Sequence, residues 1–106
     1  MGNLPLYSED NLALTFARDH HLHVRYVETW KRWYFWDGTR WAEDTTLRAF
    51  DLSREICRHA SKDANEGGKS LASHSTVAAV AALAKSDRRL VATRGPLGVK
   101  YAGRNN

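Results

Sequence analysis

Along the chain the spacing of hydrophobic positions changes period twice, dividing it into a helical opening, a short β region and two further helices. Ser8 followed by "EDNLALTFARDHH" reads as a helix start. A hydroxyl stands ready to accept from early backbone donors, acids occupy the first turn, and Leu12 and Phe16 then recur with Ala and Leu on one face. This predicts a helix over roughly residues 8–20, its histidine-rich end suiting a helix C-terminus. From Leu22 the period falls to two. "HLHVRYVE" alternates apolar and polar positions and is rich in β-branched and aromatic types, so it reads as a strand. "RWYFW" and "TRWAE" read as two more, joined by Asp37-Gly38, a strong hairpin signal.

Helical spacing returns after Asp44 or Thr45, either of which can cap a helix through "TLRAFDLSREICRHASKD". Ala49, Leu52, Ile56 and Ala60 form its stripe, with Leu47, Phe50 and Cys57 beside it. "NEGGKS" ends it, because two adjacent glycines are entropically costly inside a helix. A third helix is predicted over about residues 71–86, where Val77, Val80, Ala81 and Ala84 make a small-residue face suited to close packing. Beyond Asp87 the chain carries four Gly or Pro residues and reads as a loosely held tail. The expected fold class is α+β: a short Trp-rich antiparallel meander of two or three strands packed against about three helices. The expected organisation is an N-terminal extension (1–7), a single α+β domain (8–86) and a basic, glycine-containing C-terminal segment (87–106).

With 106 residues the chain suits one compact domain and is too short for two independent cores. Its formal charge of +4 permits a polyanionic partner, and the placement of that charge says more. Residues 85–106 carry Lys85, Arg88, Arg89, Arg94, Lys100 and Arg104 against Asp87 alone, so the rest of the chain is close to neutral. A lone cysteine, Cys57, leaves no intramolecular disulfide and no multi-cysteine zinc site, which fits a reducing compartment. The opening "MGNLPLYSED" lacks the layout of a secretory signal, Leu6 stands where a myristoylation motif needs Ser or Thr, and no apolar run approaches membrane-spanning length. A cytoplasmic protein with no membrane partner is the expectation.

Candidate chemistry is sparse. "GGKS" at 67–70 resembles the end of a phosphate-binding loop, but Asp63 stands where that motif needs its first glycine, and the preceding segment reads as helix. A carboxylate there repels phosphate, so a helix-to-helix linker is the reading. His20, His21 and His23 cluster at a helix end, yet no pair has the i, i+4 spacing that aims two imidazoles at one metal. Cys57 lies on or near the apolar stripe of its helix, no serine sits in a glycine-flanked nucleophile elbow, and no Asp-x-Asp pair is present. No catalytic residue, metal site or cofactor is expected.

The tryptophans are the conspicuous feature. Trp30, Trp33, Trp36 and Trp41 fall within a dozen positions, interleaved with Lys31, Arg32 and Arg40. Alternation puts Tyr34 and Trp36 on one face of the second strand and Trp33 and Phe35 on the other. One face must pack on the helices, and Trp36 and Trp41 can pair across the Asp-Gly turn. Aromatics left exposed beside arginines are the material of a single-strand stacking platform. Trp30 and Trp33 are the candidates for stacking, and Arg32, Arg40, Arg88, Arg89 and Arg94 for holding phosphates.

A family resemblance runs through the same region. Leu12, Ala13, Phe16, Ala17 and His20 are followed by Val24, Arg25, Tyr26 and Val27, then by Trp30, Trp33, Trp36, Asp37, Gly38, Arg40 and Trp41. This order resembles the helicase-proximal N-terminal region of phage, plasmid and poxvirus-type DNA primase-helicases. "SREICRHASKDA" and "STVAAVAALAKSDRRLVAT" resemble the helices that follow there, so the likeness covers roughly residues 9–93. In that family the segment lies between a primase domain and a superfamily-three helicase motor. The sequence contains no primase carboxylates, no Walker A motif and no helicase arginine finger, and "GPLGVKYAGRNN" replaces the family's usual continuation.

The resemblance implies a non-catalytic accessory module of phage-type DNA replication that contacts DNA, single-stranded by preference, or positions a helicase motor. Its expected partners are primase or helicase domains or subunits. The rival expectation is a protein-protein or homo-oligomerisation module that docks through the small-residue helix from Val77 to Ala84 and binds no nucleic acid.

Overall fold

The computed structural model describes residues 7–64, 68–92 and 101–102, with Gly68, Lys69, Tyr101 and Ala102 described by backbone alone. Helix α1 spans Glu9–His20 and starts as its sequence dictates: Ser8 Oγ accepts from the Asn11 amide at 3.0 Å, and Glu9 and Asp10 fill the first turn. Leu12, Ala13, Phe16 and Ala17 are its buried face. Strands β1 (Val24–Val27), β2 (Arg32–Trp36) and β3 (Trp41–Glu43) follow as an antiparallel meander.

The β2–β3 turn is built by Asp37. Its carboxylate accepts from the Thr39 amide at 2.8 Å, the Arg40 amide at 2.9 Å and the Thr39 hydroxyl at 2.9 Å. Gly38 takes φ +107°, a conformation that a side chain would strain. These bonds fix the register that pairs Trp36 with Trp41.

Helix α2 spans Arg48–Asp63, and Asp44 caps it from a distance. Oδ1 accepts from the Arg48 amide and Oδ2 from the Ala49 amide, both at 2.9 Å. To bring those donors onto Asp44 the chain turns at Leu47 in the left-handed region, φ 60°. Leu47, expected beside the apolar stripe, is instead 74% exposed. The stripe itself is centred one position later than its Leu and Ile residues suggest. Ala49, Ser53, Cys57 and Ala60 are buried, while Leu52 and Ile56 flank them half-buried. Ser53 tolerates burial because its hydroxyl donates to the Val77 carbonyl at 2.7 Å.

A 3-10 turn at Gly68–Ala72 precedes helix α3 (His74–Ala84), which begins three residues later than its hydrophobic pattern alone suggested. Ser73 is the reason: its Oγ accepts from the Thr76 amide at 3.3 Å and sets the cap. Val77, Val80, Ala81 and Ala84 are buried, the small-residue face expected.

Regular structure does not stop at residue 86. Leu90 is fully buried, and strand β4 (Val91–Ala92) pairs parallel with β1. Strand β5 (Tyr101–Ala102) pairs parallel with β3. The sheet order is therefore β4-β1-β2-β3-β5: the expected three-stranded meander, widened at both edges. The basic residues around Leu90 and Val91 concealed a short apolar strand. It is too brief to show alternation, and the turn bonds that the Leu90 and Val91 amides donate to the Asp87 backbone carbonyl, each 2.9 Å, deliver it to the sheet.

The sheet lies on the helices through one face. Val24, Tyr26, Trp33 and Phe35 point that way by register, and Phe16, Ala17, Ala49, Ala84 and Leu90 meet Val24 and Phe35 in a shared core. Leu12, Ala13, Cys57, Ala60, Val77 and Val80 form a second core between the helices. Burial raises the Cys57 thiol pKa, as suits a packed hydrophobe.

Candidate nucleic-acid interface

The opposite sheet face is built from Arg25 and Val27 of β1, Arg32, Tyr34 and Trp36 of β2, and Trp41 and Glu43 of β3. It is not bare. Val27, Tyr34 and Trp41 are buried as a third small cluster, with Trp30 of the β1–β2 turn packed against it. The Trp30 and Tyr34 ring centroids are 5.7 Å apart.

Three aromatic or cationic groups run in series across this face. The Arg25 guanidinium lies 5.1 Å from the Trp41 ring centroid, and Trp41 meets Trp36 edge to face at 5.5 Å. Arg25 is itself anchored: Nη1 donates to the carbonyls of His21 and, at 2.8 Å, Val24. Trp36 ends the series and is 36% exposed.

The candidates that fall on described residues take definite places. Arg32 is exposed at the start of β2, with Nε 3.2 Å from Glu43 Oε2 on the same face. Arg40 is exposed at the hairpin, its Nε 3.9 Å from Asp37 Oδ2. Arg32 is the first residue of β2 and Arg40 lies past the turn that follows its last, and at about 3.3 Å per residue about 13 Å separates Arg32 from Trp36. Trp33 points to the helices, with its ring 5.6 Å from Phe16 and 5.1 Å from Tyr26. It is half-buried.

Arg88 and Arg89 lie on the turn into β4, at the other edge of the meander from Arg40. Asp87 grips Arg89 through Nε at 3.0 Å and Nη2 at 2.9 Å. That contact lowers the Asp87 carboxyl pKa and raises that of the Arg89 guanidinium. Arg88 is exposed and has no ion pair among the described residues. Arg94 lies outside the described residues.

The fold thus places Arg32 and Trp36 on one sheet face, with Arg40 on the turn just beyond Trp36, and separates them from Trp33, Arg88 and Arg89. Arg25 and Trp36 went unselected in the sequence. The signal for both was the alternation of β1 and β2 combined with the Asp-Gly register, which places Arg25 across from Tyr34 and Trp36 across from Trp41.

The two acids nearest Arg32 and Arg40 are occupied. Glu43 pairs with Arg32, and the turn amides of Thr39 and Arg40 hold the Asp37 carboxyl below the usual carboxylate pKa range. On the helix side of the sheet, Arg48 stacks on Phe35 at 4.3 Å beside a shallow cleft of about 140 Å³. Asp37, Glu43 and Asp44 line that cleft, so it disfavours an anion. Among the described residues no three His, Cys, Asp or Glu side chains converge as a metal site, and no helix is long and apolar enough to cross a membrane.

Three helices beneath a tryptophan-bearing mixed sheet, whose outer face combines arginines with an exposed indole, define a small α+β domain. The family model described as "D5 N terminal like" matches residues 13–96, and the chain belongs to that family, the N-terminal region of D5-type primase-helicases. No curated protein and no solved structure gives a match.

Proposed function

We propose that this domain is a non-catalytic accessory module of phage-type DNA replication and contacts DNA through the outer face of its sheet. The observation that carries the reading is the placement of Arg32 and Trp36 on the sheet face turned away from the helices, with Arg40 exposed on the hairpin turn beyond Trp36. Phosphate contacts position a nucleic acid, and exposed aromatics add a sequence-tolerant grip on unpaired bases. In this reading Arg32 and Arg40 hold phosphates by exchanging their exposed contacts with Glu43 and Asp37, Arg88 adds a cation near the β4 edge, and Arg89 adds less because Asp87 grips it through two nitrogens. Trp30 borders the same face, whereas Trp33 serves packing. Arg94 belongs to the same basic set by sequence. The setting is the cytoplasm of a bacterial or infected cell, with primase or helicase domains as neighbours.

The test is fluorescence anisotropy of labelled single-stranded and duplex DNA with the full chain at low and moderate salt. Saturable binding that weakens steeply with salt is expected, and Arg32→Ala combined with Arg40→Ala should flatten the salt dependence. Unchanged affinity in that double variant would sink the proposal.

A second reading, docking on a neighbouring protein domain or a second copy, is favoured by α3. No charged residue falls between Ser75 and Ala84, and Leu83 is 40% exposed on its outer side. A salt-insensitive dimer in sizing experiments, lost in Leu83→Glu, supports that reading, and a monomer at all concentrations opposes it.

A further inference from the structure

We infer that Trp36 is the seat on which one unpaired base of single-stranded DNA stacks, and that Arg25 and Trp41 are positioning residues that hold it ready. This rests on the DNA-contact reading above and deepens it by naming the stacking residue and the form of the DNA.

The argument begins with which indole is available. Trp33 is enclosed by Phe16 and Tyr26, Trp41 is buried, and Trp30 leans on Tyr34. Trp36 alone of the four counts among the exposed large hydrophobic side chains of the described residues. It is also carried by a strand and not by a loop, so its backbone is fixed by two neighbours. Its amide donates to the His23 carbonyl at 2.8 Å, and it pairs with Trp41 on the other side.

The ring is supported from behind. Trp41 packs edge to face with Trp36, and Arg25, tied to two backbone carbonyls, covers Trp41 in turn. A ring already held in place loses little conformational freedom when a base settles on it, which is the condition for tight stacking at one contact.

The charge around the seat selects the occupant. Arg32 begins the same strand on the same face and Arg40 lies just past the turn that follows Trp36, so cations bracket the indole along the hairpin, each in an exposed and exchangeable contact with a carboxylate. Both nearby carboxylates are engaged, Asp37 by turn amides and Glu43 by Arg32. A flat unsaturated ring on an anionic backbone fits that arrangement. In a duplex the base faces are covered by their neighbours, whereas an unpaired base offers a free face.

The experiment titrates the full chain against a labelled oligothymidylate and a duplex of equal length, following anisotropy and intrinsic tryptophan fluorescence. Trp36→Leu keeps an apolar side chain on the strand but removes the π face, so its affinity for single strands should fall about 5- to 100-fold. The slope of log affinity against log salt should stay as in the parent, because no phosphate contact is lost. Arg32→Ala or Arg40→Ala should instead reduce that slope by about 0.7 each. Trp36→Phe should restore part of the affinity while losing most of the DNA-induced quenching, and its circular dichroism should match the parent.

Single strands bound as tightly by Trp36→Leu as by the parent overturn this inference and leave the DNA-contact reading standing. A duplex bound as well as the single strand overturns it as well. Absence of any saturable binding by the parent chain overturns both.

Discussion

Trp36 and Trp41 meet edge to face across the Asp37-Gly38 turn with their ring centroids 5.5 Å apart, one partly exposed and the other buried. The two contribute unequally to stability because only Trp41 is enclosed by the Val27, Tyr34 and Trp30 side chains. Trp41→Ala is expected to cost about 3–5 kcal/mol, in the range for large aromatic truncations in a core, and Trp36→Ala about 1 kcal/mol. Urea denaturation of both single variants and the double variant checks this. A coupling energy of about 0.5–1.5 kcal/mol should emerge from the cycle, and a value near zero would show that the rings merely lie close together.

Asp44 offers a sharper test of how α2 starts. Its two carboxylate oxygens take the Arg48 and Ala49 amides, and Oδ1 also takes the Thr46 amide at 3.2 Å. Asp44→Ala leaves these donors to water and should cost about 1–2 kcal/mol, whereas Asp44→Asn should cost less because one acceptor remains. Equal losses in the two variants would mean that the charge near the helix N-terminus, and not the hydrogen bonds, provides the stabilisation.

What could be read from the chain, and what could not, follows the range of the forces involved. Ser8, Asp37-Gly38 and the alternation of β1 and β2 act locally, so the first helix, the hairpin and its register were legible. Asp44 was legible as a cap, but the left-handed turn at Leu47 that brings donors to it was not, since nothing in the residue type announces it. Leu90 and the edge strands depend on pairing with β1 and β3, distant in sequence, and a two-residue strand carries no period of its own. The same limit applied to the candidate interface. Arg32 and Arg40 could be named from composition, while the Arg25–Trp41–Trp36 series needed three strands in register before it existed.

Leu47 combines a left-handed backbone with an exposed apolar side chain, so neither its conformation nor its contacts favour leucine. Leu47→Gly removes the Cβ penalty of about 1–2 kcal/mol and adds a chain-entropy cost of about 0.5–1 kcal/mol. A net gain of about 0.5 kcal/mol is expected, read as a higher urea midpoint with an unchanged slope. A loss would show that Leu47 makes favourable contacts in solution that outweigh its backbone strain.

His20 gives the fold a dependence on pH whose sign can be derived. Burial lowers its pKa, with Asp19 and Glu55 opposing the shift and His23 and Arg48 reinforcing it, while its ring rests against Phe16 at 5.4 Å. Its folded pKa therefore lies below the unfolded value of about 6.5. The unfolded chain binds the proton first, so the stability contributed by neutral His20 is complete above that value and is lost as pH falls through it toward the folded pKa. Thermal melts between about pH 7.5 and pH 5 should show Tm falling with acidification, and His20→Gln should reduce that slope because its side chain does not titrate. If the variant keeps the full slope, the pH dependence arises from other groups and the packing of His20 on Phe16 is insensitive to its charge.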